Sequence, residues 1–125
     1  MISQNSPPQA PAPELRLFYP SPPLGSAHFD IVGLGCREWM GPGWIHRPQG
    51  TDDWLLMAFE APMQIEVEGQ IRTQAQPAMM IWCPGSVHRY GHLASCWRHS
   101  WMHVRGEGLP QLLRTSGLPV GLPIV

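Results

Sequence analysis

"MQIEVEG", residues 63–69, alternates Met63, Ile65 and Val67 with Gln64, Glu66 and Glu68, then runs through Gly69 into "QIRTQA", residues 70–75. An apolar side chain at every second position places one face of an extended segment against a core and the other in water. The glycine between two such segments reads as the turn from one strand to the next. The same short texture recurs along the chain in "HFDIVGLG" (28–35), "WIHR" (44–47), "DWLLMAFE" (53–60), "MMIWC" (79–83) and "WRHSWMHV" (97–104), with glycine and proline in nearly every gap. Short strands at this spacing predict an all-β antiparallel sandwich or barrel. Only "GLPQLLRTSG" (108–117) reads as a helix, with Pro110 near its start and Gly117 as its stop, and it is too short to be stable alone.

A length of 125 residues suits one domain. Charged residues make up 14% of the chain, well under the roughly 25% of an average domain. All eight basic residues are arginines, which excludes Schiff-base chemistry on a lysine of this chain. A net charge of −1 argues against direct binding of nucleic acid. Cys36, Cys83 and Cys96 are odd in number and lack C-x-x-C spacing, so neither a disulfide framework nor a structural zinc site is expected, and a reducing, cytoplasmic setting fits best. The N-terminus lacks the pattern of an export signal, and no apolar run is long enough for a membrane span. Seven of the fifteen prolines fall within residues 6–25, marking residues 1–25 as an extended arm in which Leu15, Leu17, Phe18 and Tyr19 could dock on the domain. Residues 26–106 form the expected β-domain and 107–125 the start of a helical or linker segment.

Chemistry concentrates in "RYGHLASCWRHSWMHV", residues 89–104. On a strand, Trp97, His99, Trp101 and His103 share one face while Arg98, Ser100, Met102 and Val104 share the other. Inside a small barrel, flat rings with polar tips either line a pocket for a sugar-like molecule or simply fill the interior. His99 and His103 lie about 13 Å apart at ~3.3 Å per residue, too far to share an ion. His88 could converge with His46 or His99, but no H-x-H or H-x-x-E spacing completes a ligand set, so no metal and no cofactor is expected. No G-x-S-x-G elbow is present, and Asp52 and Asp53 read as a solvated turn. No catalytic residue is assigned, and the chain is not expected to be an enzyme.

Three stretches in order, "HRPQGTDDWLL" (46–56), "MMIWCPGSVHRYGH" (79–92) and "CWRHSWMHVRG" (96–106), resemble the N-terminal effector-binding domain of AraC-type transcriptional regulators. The shared elements are an R-P-x-G, an H-x-Y-G turn and a closing strand of the form W-x-x-x-W-x-x-V. The resemblance implies a cupin-like jelly-roll barrel with an extended proline-rich arm and a short C-terminal helix. It implies a small-molecule effector, of monosaccharide type, held by Arg47, Tyr90, His99 and Trp101, with the arm able to fold across it. In that family the DNA-reading helices and the dimerising helices follow the barrel. This chain is therefore expected not to touch nucleic acid or membrane itself, and a homodimer stays open. Departures are the wealth of proline in the arm and Trp97–Arg98 in the closing strand. Two other readings stand beside this one: a metal-dependent cupin enzyme, an isomerase or oxygenase using His46, His88 and His99, and a filled barrel serving only as an interaction domain.

Overall fold

The computed structural model describes residues 15–18, 28–60 and 62–125. In chain order these form β1 (Leu15–Phe18), β2 (Asp30–Met40), β3 (Gly43–Arg47), β4 (Trp54–Phe59), β5 (Met63–Val67), β6 (Gln70–Gln74), β7 (Ala78–Trp82), β8 (His88–His92), β9 (Trp97–Arg105) and α1 (Gly108–Ser116). Every pairing is antiparallel. One sheet has the order β1-β2-β9-β4-β7 and the other β3-β8-β5-β6. The described residues are all-β apart from α1, as the alternation predicts. Among the described residues no strand pairs into both sheets, so the strands make two open sheets rather than a closed barrel.

The inner faces of the two sheets share one core. Leu55, Met57 and Phe59 of β4, Met80 and Trp82 of β7 and Trp97 of β9 pack with Met63, Ile65 and Val67 of β5 and Tyr90 of β8. The alternation of residues 63–67 therefore faces inward as read, and the hairpin closes with Val67 opposite Gln70. "DWLLMAFE" is apolar nearly throughout because the sheet containing β4 is covered on both sides. Leu56 and Trp54 belong to a second cluster in which Ile81 and Val104 meet Leu109 and Leu113 of α1. This helix ends at Gly117, whose N–H donates to the Leu113 carbonyl at 3.1 Å. Beyond it the chain returns to the free side of β7: Met79 and Ile124 exchange backbone hydrogen bonds at 2.8 and 2.9 Å, and Gly121 N–H donates to Ile81 O at 2.7 Å.

Two strands carry no sequence signal of their own. β8 is "HRYGH", polar in composition, yet His88 and Tyr90 are buried. β1 comes from the expected arm and lies along the edge of β2, with Leu15 opposite Cys36 and Phe18 opposite Gly33. Tyr19 and the rest of that arm fall outside the described residues. β2 runs on to Met40, past the expected end at Gly35, through an irregularity. Gly35 faces Trp101 and Glu38 faces His99, so three steps along β2 match two along β9, with Arg37 at φ 52° taking up the extra residue. The bulge inverts the parity of the strand: Gly33 and Gly35 are buried, Arg37 turns out, and Glu38 turns in. Among the described residues no helix is long and apolar enough to cross a membrane.

Candidate ligand-binding site

Between the sheets lies a cavity of about 270 Å³, and Arg47, Tyr90, His99 and Trp101 all line it. They arrive from three strands. Arg47 ends β3 opposite His88, Tyr90 is central in β8 opposite Ile45, and His99 and Trp101 project from the inner face of β9. The other walls include Ile45, Met40 and Met57, apolar side chains beside the polar ones, and Arg16 and Phe18 from β1.

Each of the four is held differently. Tyr90 is 2% exposed, its ring stacked on Trp82 at 5.4 Å and set edge-on to Trp97 at 5.8 Å, so the phenol has little freedom. Burial pushes its pKa up, with the nearby Arg47 guanidinium opposing this, and the phenol stays protonated. Arg47 Nη1 donates to Tyr90 Oη at 3.5 Å, a long contact. Arg47 makes no ion pair with Asp52 or Glu60: Asp52 pairs with Arg105, and Glu60 with Arg37 and Arg98.

His99 is 4% exposed. Burial first, and then the positive charges of Arg16 and Arg47, bring its pKa down to about 4, so the ring is neutral near pH 7. Its Nδ1 lies 3.3 Å from the Met57 sulfur, and its Nε2 is buried with no partner. A thioether has no hydrogen to give, so this contact requires the proton on Nδ1 and leaves a lone pair on Nε2. The histidine thus contributes a neutral ring to the cavity wall, with its Nε2 enclosed by protein.

Trp101 lies across Gly35. A Cβ on that glycine would fall 2.3 Å from the indole Nε1, so only glycine leaves room for the ring. The indole N–H donates to Glu38 Oε2 at 2.8 Å, and Phe18 covers part of the ring with centroids 5.6 Å apart. Glu38, only 5% exposed, is held on both oxygens by the Arg16 guanidinium. Sequence reading missed Glu38, because strict alternation from Gly33 would have put Arg37 inside instead.

His103 also lines the cavity, and its Nδ1–H donates to Asp53 Oδ1 at 2.7 Å. Asp53 is therefore not part of a solvated turn. It is 5% exposed, and although burial alone would raise its pKa, hydrogen bonds from His103 and Thr51 and the charges of His103 and Arg105 bring it below the usual carboxylate range. Only Asp52 of the pair faces water, because neighbours along an extended chain point to opposite sides. The histidines of the metal-enzyme reading are not brought together. His46 is exposed, on the face of β3 opposite to Ile45 and Arg47, while His88 and His99 are buried. Among the described residues no group of three or more His, Cys, Asp or Glu side chains is placed to hold a metal ion.

No protein-family model matches the chain, and a search of curated proteins finds no match to it.

Proposed function

We propose that this domain is a binding module, not an enzyme, and that it takes up a small hydroxylated molecule between its sheets. In this reading it is the cytoplasmic effector-sensing domain of an AraC-type transcriptional regulator, and its two sheets correspond to the halves of a cupin-like jelly roll. The supporting observation is that Arg47, Tyr90, His99 and Trp101, separated by up to half the chain in sequence, line one cavity. Its size, just below the roughly 300–1,000 Å³ of ligand pockets, suits a single sugar ring. Donors on Arg47 and Tyr90, the neutral ring of His99 and the flat indole of Trp101 match the alternating hydroxyl and C–H surfaces of such a ring. DNA contact belongs to other parts of such a regulator.

Titration with a panel of monosaccharides and their derivatives, followed by tryptophan emission, tests this. Binding is expected to shift the emission of Trp101, and Trp101→Ala and Arg47→Ala are each expected to weaken it about tenfold to a hundredfold, for a loss of ~1 to 3 kcal/mol, with the melting temperature recorded alongside. Unchanged affinity in both variants would show that the ligand sits elsewhere. β1 supplies Arg16 and Phe18 to the wall, so an occupant contacts the N-terminal strand. Trypsin cleavage after Arg16 is therefore expected to slow when the cavity is filled, and equal rates with and without saturating ligand would separate the strand from the site.

A further inference from the structure

We infer that the occupant of the cavity is an anion: a hydroxylated carboxylic acid of sugar size, such as a uronic or aldonic acid, with its carboxylate on Arg47. The inference rests on the cavity being the ligand site and adds the chemical class. It follows from the pairing of charges around the wall. Glu38 is fully engaged, one oxygen by Arg16 and the other by Arg16 and Trp101. Asp53 Oδ1 accepts from His103 and from Thr51, each at 2.7 Å. Arg47 has no carboxylate within ion-pair distance among the described residues, and its side chain meets one acceptor, the neutral Tyr90 hydroxyl at 3.5 Å. A guanidinium has five N–H donors arranged to grip a carboxylate with two parallel bonds, and a partly enclosed one lacks the water that would otherwise balance its charge. A neutral sugar would satisfy hydrogen bonds at Arg47 and leave the charge unmatched.

The cavity also fixes which way round such an acid lies. The smaller sheet supplies Arg47 and Tyr90, and the tyrosine, having accepted from Arg47, keeps its own proton for a second bond to the same carboxylate. The larger sheet supplies the Glu38 carboxylate, whose charge Arg16 already matches, and the neutral ring of His99. Neither offers an anion an unmatched positive charge. The carboxyl end therefore faces β3 and β8, and the hydroxyl groups face β9.

The test uses matched pairs that differ only in charge: glucose with glucuronate, galactose with galacturonate, arabinose with arabinonate, titrated calorimetrically at neutral pH and fixed ionic strength. In the pair that binds tightest the acid is expected to bind about tenfold or more tighter than the neutral sugar, and Arg47→Gln is expected to erase that difference by weakening the acid about tenfold or more beyond whatever it takes from the neutral sugar. A neutral sugar binding as tightly as its acid would overturn the inference and leave the cavity reading standing. No heat and no change in tryptophan emission from any member of any pair, each at high millimolar concentration, would overturn both.

Discussion

Acidification from pH 7 to pH 4 is expected to strip the fold of most of its stability, and two histidines account for it. His88 has no exposed surface and neither ring nitrogen finds a partner. Burial first, then the positive charges of Arg47 and His103, hold its pKa at about 4 against 6.5 in an ordinary setting, with Asp53 acting the other way. His99 is held at about 4 in the same manner. Because the folded pKa is the lower one, the unfolded chain takes up protons that the folded chain refuses, and stability rises with pH across this range. The contribution is whole above pH 6.5 and is lost progressively as pH falls towards 4. A drop from 6.5 to about 4 corresponds to roughly 3 kcal/mol for each ring, so about 6 kcal/mol in all, comparable with the total stability of a small domain. Urea unfolding at half-unit steps of pH measures this directly. His88→Leu is expected to halve the slope between pH 6.5 and 4, and a wild-type midpoint that stays level over that window would show that the rings are already protonated or reach water.

Gly50→Ala is expected to cost about 3 kcal/mol. Gly50 closes the turn after β3, its N–H donating to Arg47 O at 3.0 Å with φ at 59°, a conformation in which a Cβ crowds its own carbonyl. That Cβ would also fall 2.0 Å from the carbonyl oxygen of Ser86, which is backbone and cannot step aside. The left-handed conformation costs alanine roughly 1 to 2 kcal/mol, and forcing apart a packed contact costs roughly 1 to 3 more. Gly41→Ala is the control, since its Cβ would meet nothing within 4 Å and its effect should stay within about half a kcal/mol. If the two variants unfold at the same urea concentration, the turn does not approach the loop before β8 as described. The R-P-x-G element therefore has two parts with separate duties: the arginine enters the cavity, and the glycine lets the chain pass close enough to Ser86 for it to do so.

Alternation and turn residues made the strands of the β5–β6 hairpin, β4, β7 and β9 readable, because these elements bury one face or both and their composition follows. His99 and Trp101 were legible from parity alone, once residues 97–104 were taken as a strand. Arg47 and Tyr90 were not: both came from the motif resemblance, since an arginine before a proline and a tyrosine among histidines carry no periodic signal. The limits have physical causes. β8 buries His88, Tyr90 and Gly91, of which only Tyr90 is a strand former, so the segment shows no apolar alternation. Glu38 was hidden by the bulge at Arg37, which shifts parity by one residue and cannot be counted from the sequence. Asp53 was hidden by standing next to Asp52, since two aspartates in a row look like a turn whether or not one of them faces inward.

The return of the chain along β7 has a consequence for how molecules of this domain behave together. A strand at the margin of a sheet presents unpaired N–H and C=O groups on which a strand of another molecule can template itself. Here Gly121 and Ile124 occupy those groups on Met79 and Ile81. A chain cut ahead of Gly121 would keep the cavity walls but lose Ile124 from the second cluster, and would offer a bare margin next to the outward-facing side chain of Met79, which is already 42% exposed. The last few residues thus guard one of the four sheet margins among the described strands, and their removal is expected to raise aggregation before it alters the cavity.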